Sequence, residues 1–216
     1  MLRLILVRHG QTKWNEGSVS GPHFRGHLDI ALNDIGLEQA QCVAQRLAPL
    51  EIDAIYASPL QRAIDTARPI AIPHELSVEP FEGLLDIDYG QWGGHSHEKV
   101  AAEWPELYRR WQSTPYLVQF PGGESLAIVL ERVLKGLDLV LERHDQETVV
   151  LVGHQAVNKV LICALLGLQK GAFWRIRQDT GCINRFDHDG QACTVLTLNE
   201  VAHLPSYPAY LDRPWQ

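Results

Sequence analysis

The chain has 216 residues, 45% of them apolar and 21% charged, with a formal net charge of −7. That length and balance exclude a disordered or low-complexity chain, and they allow one large domain, spanning residues 1–216, whose core needs no disulfide staples. The surplus of negative charge argues against nucleic acid or an anionic membrane as the main partner, so an anion site here must gather positive charge locally.

Residues 2–7, Leu-Arg-Leu-Ile-Leu-Val, form a short β-prone run that ends at Arg8-His9-Gly10. This start lacks the small residues of a cleavage site, so a cytoplasmic, reducing setting is expected. A long loop follows. Asn33 then caps a helix that carries Leu37, Ala40, Ala44 and Leu47 at helical spacing and stops at Pro49. Residues 53–57 read as a second strand. Ser58 is placed to cap the next helix with Pro59 as its first residue, and Pro69 is expected to kink or end it. Residues 95–123 scatter Trp104, Tyr108, Trp111, Tyr116 and Phe120 among Pro105, Pro115 and Pro121, which suggests one or two helices and a loop covering the body.

Leu126, Val129, Leu130, Val133, Leu137, Val140 and Leu141 mark a long amphipathic helix. It leads into a third apolar run, residues 148–152, ending at Gly153-His154, and a helix over residues 156–166 is closed by Gly167. The longest apolar stretch, 160–168, is too short to cross a bilayer. Residues 201–216, with three prolines, Tyr207, Tyr210 and Trp215, read as a tail lying on the body. Cys42, Cys163, Cys182 and Cys193 show no CxxC or zinc spacing; three sit in apolar surroundings, and buried reduced thiols are expected. Continuous apolar strands alternating with helices predict an α/β three-layer sandwich with a largely parallel sheet and helices on both faces.

In open α/β sheets ligands bind beyond the carboxyl ends of the strands. Two strands deliver a histidine to that edge, His9 and His154. Arg8 precedes the first, and Arg62 opens a helix nearby. Two imidazoles, two guanidiniums and helix N-termini at one edge would make a pocket for a tetrahedral dianion. His95 and His97, two apart with no third ligand near them, are weak as a metal pair, and no metal or other cofactor is expected.

These residues also carry a resemblance. Arg8-His9-Gly10-Gln11-Thr12-Lys13-Trp14-Asn15, the helix from Ser58-Pro59-Leu60-Gln61-Arg62 to Ala67, the segment Leu84 to Gly94 and Val152-Gly153-His154 stand in the order found in phosphoglycerate-mutase-like histidine phosphatases, and together they span nearly the whole chain. The resemblance implies that fold, with His9 as a nucleophile forming a phosphohistidine and Asp86 as the general acid and base. It implies that Arg8, Arg62, His154 and the amide of Gln155 bind phosphate, and that Asn15 touches phosphate or substrate. Most relatives have Glu where this chain has Asp86; Asp88, two residues on, is the alternative and Glu82 a third. In the loop after the nucleophile, Arg25 and Gly26 between His23 and His27 would meet substrate, as would His203 in the tail. Arg109 and Arg110 read as solvated.

The family contains phosphatases, mutases and members that have lost catalysis. Mutases of the cofactor-dependent kind carry a longer, basic insertion, whereas the cover here sets Lys99, Arg109 and Arg110 against as many carboxylates. No expected catalytic residue is lost. The expectation is therefore a metal-independent phosphatase acting on small phosphorylated metabolites. The natural substrate and the oligomeric state, a homodimer included, stay open at this point.

Overall fold

A computed structural model describes residues 1–15 and 23–205. A six-stranded sheet runs β3-β2-β4-β1-β5-β6, built from β1 (Leu2–Arg8), β2 (Ala54–Ala57), β3 (Val78–Pro80), β4 (Thr148–Gly153), β5 (Ile183–His188) and β6 (Cys193–Glu200). The first four in that order are mutually parallel, and β5 and β6 are added antiparallel on the β1 side. β4, at the centre, is buried along its whole length, which is why its sequence is an unbroken apolar run.

Alternate residues of the strands face opposite layers, as the two-residue period of a strand requires. Leu2, Leu4, Leu6, Val149 and Leu151 pack with α5 (Leu126–Arg143) and α6 (Gln155–Leu165). Ile5, Val7, Val150 and Val152 pack with α1 (Asp34–Leu47) and α2 (Gln61–Ala71) on the other face. The three-layer arrangement is thus the expected one. β3, β5 and β6 were not expected: β3 has only three residues, and β6 alternates exposed and half-buried positions instead of presenting an apolar run.

Four local expectations are corrected. α1 does begin after Asn33, whose side chain accepts the Gly36 amide, but its buried face is Gly36, Ala40, Val43, Ala44 and Leu47, and Leu37 points to solvent at 49% exposure. Ser58 does not cap α2. The cap position is Leu60, with no cap of its own, and the Gln61 amide donates instead to Asp29 Oδ1 in the loop after β1, at 2.8 Å. A distant loop thus supplies what the local sequence was expected to supply. Pro69 does not end α2, because Ile70 and Ala71 beyond it are buried against the sheet, and that packing outweighs one missing backbone bond. The cysteines are free, yet only Cys163 and Cys182 are buried; Cys42 and Cys193 are partly exposed.

The cover contains α3 (His97–Glu103) and α4 (Pro105–Ser113). Its aromatics are one cluster: Trp92, fully buried, lies 5.0 Å from both Phe24 and Phe120, and Trp111 lies 5.1 Å from Phe120. Of the tail, Val201 and Leu204 pack against Cys182, while residues 206–216 lie outside the described residues. No helix among the described residues is long and apolar enough to cross a membrane.

Candidate active site

The register of the central strands builds the site. Arg8 on β1 pairs with Gly153 on β4, so the next residues, His9 and His154, leave the sheet side by side with ring centroids 5.2 Å apart. Both rings are fully buried. His9 Nδ1 lies 2.6 Å from the Gly10 carbonyl, an atom that only accepts, so Nδ1 carries the proton and Nε2 keeps its lone pair. Nε2 is buried and has no partner in the protein. His154 is the complement. Its Nδ1 accepts from Arg62 Nε at 3.2 Å, which leaves Nε2–H as a buried donor, also without a protein partner. Burial, then the nearby guanidiniums of Arg62, Arg25 and Arg8, pushes both imidazoles well below their usual range, so both are neutral at neutral pH.

The backbone around His9 is held from three sides. The His9 amide donates to the Gly153 carbonyl at 3.0 Å, and the Gly10 amide donates to Thr66 Oγ1 at 3.0 Å. The Gly181 amide bonds the carbonyls of Arg8 and His9 at 3.1 and 3.3 Å. Gly10 must be glycine because a Cβ there would lie 2.4 Å from the Gly36 carbonyl oxygen, where the start of α1 packs on the loop. Arg8 donates to the Gln178 carbonyl at 2.6 Å, and its Nε is buried without a partner.

Asp86 reaches the same place from the segment after the 82–84 turn. Its Oδ2 accepts from Arg62 Nη2 at 3.0 Å and lies 3.6 Å from His154 Nδ1; its Oδ1 accepts from the Ile87 amide. The Asp86 backbone carbonyl is clamped by Arg132 Nη2 at 2.9 Å and His27 Nε2 at 2.8 Å. Arg132 in turn is fixed by Glu124 at 2.9 Å and by the Gly83 carbonyl. Asp88 is elsewhere: its carboxylate closes a turn onto the Gly90 amide, and Glu82 is exposed.

A cleft of about 280 Å³ opens above these groups, lined by Arg8, Asn15, Arg25, Asp86 and Gln155 and walled by Trp14, His97, Trp111 and Trp174. Asn15 accepts from the Thr12 amide and hydroxyl through its Oδ1, which leaves its NH2 group for the cleft. Gln155 is the first residue of α6, so the amides of that N-terminus face the cleft, where a helix favours an anion. His23 also lines the cleft and stacks on Trp14 at 5.1 Å.

Two expected site residues have other work. His203 is not at the cleft; it bonds the Gly181 carbonyl at 3.0 Å and Glu200 at 3.3 Å, holding the turn that supports Arg8 and His9. The Gly26 carbonyl is taken by Arg62 Nη2 at 2.8 Å, and the residue shapes the loop; its φ of +51° and the Ile87 oxygen 2.7 Å from a Cβ require glycine. Arg62, beside them, commits four of its N–H groups to Gly26, Leu28, Asp86 and His154, which organises the pocket and leaves one Nη1 hydrogen for a ligand.

The sequence reading missed Thr66, Arg132, Gln178, Trp174 and Lys159. Lys159 Nζ lies 4.7 Å over the Trp174 ring and 5.2 Å over Phe173, and burial, with Arg8 nearby, lowers its pKa to about 8. Nothing in the sequence sets Arg132 apart from other polar residues on α5; the lysine inside the largely apolar α6 was the one available signal.

Known proteins resemble this chain in sequence and fold. The chain is 38% identical to phosphoserine phosphatase 1 of Hydrogenobacter thermophilus over 96% of both chains. It matches the solved structure of Bacillus stearothermophilus YhfR with a TM-score of 0.88 at 28% identity, covering 94% of this chain and all of that one. A mutant phosphoserine phosphatase from Entamoeba histolytica, solved with phosphoserine, matches at 0.83 and 30% identity, again over 94% of this chain and all of that one. The model of the histidine phosphatase superfamily (branch 1) matches residues 4–201, and the chain belongs to that superfamily.

Proposed function

We propose that this protein is a phosphatase that hydrolyses small phosphate monoesters through a phosphohistidine on His9. One observation carries the reading: a neutral, buried imidazole with an unshared Nε2 lone pair stands among three guanidiniums. In the first step Nε2 attacks phosphorus, the P–O bond to the alcohol breaks, and Asp86 gives its proton to the departing oxygen. A dianion arriving beside the carboxylate sets two negative charges together, an arrangement that a proton on the carboxyl relieves. In the second step Asp86 takes a proton from water, whose oxygen attacks the phosphohistidine and frees orthophosphate and His9. Arg8, the Nε2–H of His154 and the amides of α6 meet the charge on the phosphoryl oxygens. Because these groups supply the positive charge, we propose that turnover needs no metal.

The alcohol is a small metabolite, in keeping with a cleft at the low end of ligand-pocket sizes. Hydrolysis is favoured over phosphoryl transfer to a second substrate because Lys99 and Arg109 on the cover pair with Glu103 and Glu106 at the surface, so neither adds a second phosphate clamp. Release of phosphate from p-nitrophenyl phosphate and phosphoserine, in the presence of EDTA, tests the proposal. The wild type should turn over both and His9→Ala neither; an active His9→Ala protein, or activity abolished by the chelator and restored by Mg²⁺ or Zn²⁺, would contradict it.

A further inference from the structure

A buried network of amides stands next to Arg8, and none of them lines the cleft. The Arg8 guanidinium has one acceptor among the described residues, the Gln178 backbone carbonyl at 2.6 Å. That carbonyl is neutral, so it directs the guanidinium without cancelling the charge that a phosphoryl oxygen would meet. The Gln178 side chain is buried and paired with that of Asn184 on β5. Gln178 Nε2 donates to Asn184 Oδ1 at 2.7 Å, and Asn184 Nδ2 donates to Gln178 Oε1 at 2.9 Å.

The pair can be oriented in only one way. The Leu6 carbonyl only accepts, so Asn184 Nδ2 faces it, at 3.0 Å; the Asn199 amide only donates, so Oδ1 faces that, at 2.8 Å. Gln178 Nε2 likewise faces the Arg177 carbonyl at 2.9 Å. Asn184 thus fills all four of its hydrogen-bonding places and ties residue 178 to β1 and β6 at once. Asn199 secures the next residue, accepting from the Asp179 amide at 2.7 Å and donating to its carboxylate at 2.8 Å. For stability alone the position would suit an apolar side chain. Asn184 is fully buried, and Phe186, two residues along on the same face, packs in the core. An amide in such a place must be fully bonded, and a fully bonded one gives residue 178 a single direction.

We propose that Asn184, with the Gln178 side chain, is a positioning residue of the reaction: the paired amides hold the Gln178 carbonyl where it fixes Arg8 for the phosphoryl oxygens. This rests on the phosphatase reading above.

The test measures coupling to Arg8 in the full chain. Gln178→Met removes one of the paired amides and keeps the backbone carbonyl, and Asn184→Leu removes the other; each is made alone and together with Arg8→Gln. Val195→Ala, at a half-buried position on β6, is the control for loosened packing alone. Orthophosphate affinity is measured by calorimetry, and kcat and KM are measured on p-nitrophenyl phosphate and phosphoserine. Gln178→Met should weaken orthophosphate binding and lower kcat/KM about 10- to 100-fold, mainly in kcat and by a similar factor for both esters, the scale of a positioned group displaced by about 1 Å. In the Arg8→Gln background the same change should cost less than about two-fold, since the group it aims is gone. Val195→Ala should keep the wild-type kcat and orthophosphate affinity. Asn184→Leu should behave as Gln178→Met does; if it fails to fold, Gln178→Met decides, because it leaves the bonds of Asn184 to Leu6 and Asn199 in place. Wild-type kcat and affinity in Gln178→Met would overturn the proposal. So would losses that multiply with Arg8→Gln, because they would mean a general loosening of the fold. Coupled loss of orthophosphate affinity, in a protein that releases phosphate from no ester, would sustain this assignment while the phosphatase reading fails.

Discussion

The acid is the residue whose assignment rested most on comparison of positions, and the structure separates the candidates by their partners. Asp86 shares Arg62 with His154, whereas Asp88 closes a turn and Glu82 faces solvent. If Asp86 protonates the leaving oxygen, its effect must follow how badly that oxygen needs a proton. Asp86→Asn should therefore slow alkyl phosphates by about 10²- to 10⁴-fold and p-nitrophenyl phosphate far less, since p-nitrophenolate leaves unaided. Asp88→Asn should show no such dependence on the leaving group; if the dependence follows Asp88, the acid is misassigned. His9, Arg8, His154 and Asp86 were legible in the sequence because each directly follows or ends a recognisable strand or motif. The parts played by Gly26 and His203 were not. A motif tells which residue stands at a position, but it does not tell whether its hydrogen bonds go to ligand or to protein.

At the scale of elements, strands with continuous apolar runs were legible, and those whose burial comes from one side were not. β1 and β4 are buried on both faces and declare themselves, whereas β6 alternates and β3 is too short to carry a period. The missed cap of α2 has the same origin. Asp29, which caps it, is 32 residues away in sequence, and local chemistry cannot reveal an acceptor that arrives by folding. The contact of α1 with the loop after His9 gives a sharp test. A Cβ on Gly36 would lie 2.0 Å from the Gln11 carbonyl oxygen and 2.8 Å from its amide nitrogen, both backbone atoms. Gly36→Ala should lower stability by about 1–3 kcal/mol, the usual range for overpacking, and should lower kcat as well because the loop that yields bonds directly to His9. Thermal unfolding and steady-state rates check both. A variant with wild-type stability would mean that the helix and loop separate freely.

For the whole molecule, the site concentrates positive charge in a chain of net charge −7, and it does so with histidines kept neutral by burial and by the surrounding arginines. That has a consequence for stability with a fixed sign. His9 and His154 titrate lower in the folded state than in the unfolded chain, so below about pH 6.5 the unfolded state binds more protons and folding weakens as pH falls. Each contributes up to about 1.4 kcal/mol per pH unit in that window, and nothing above it. Denaturation at several pH values should show the fall below 6.5 reduced in His154→Gln; an unchanged slope would mean that His154 is protonated in the fold. The same neutrality is what the proposed attack by His9 requires, so the central claim can be tested directly. Rapid acid-free quenching of turnover with a ³²P-labelled ester, followed by peptide mapping, should find acid-labile, alkali-stable phosphate on the peptide containing His9, formed and lost at rates compatible with kcat. Label on another residue, or none in a protein that turns over, would contradict the account.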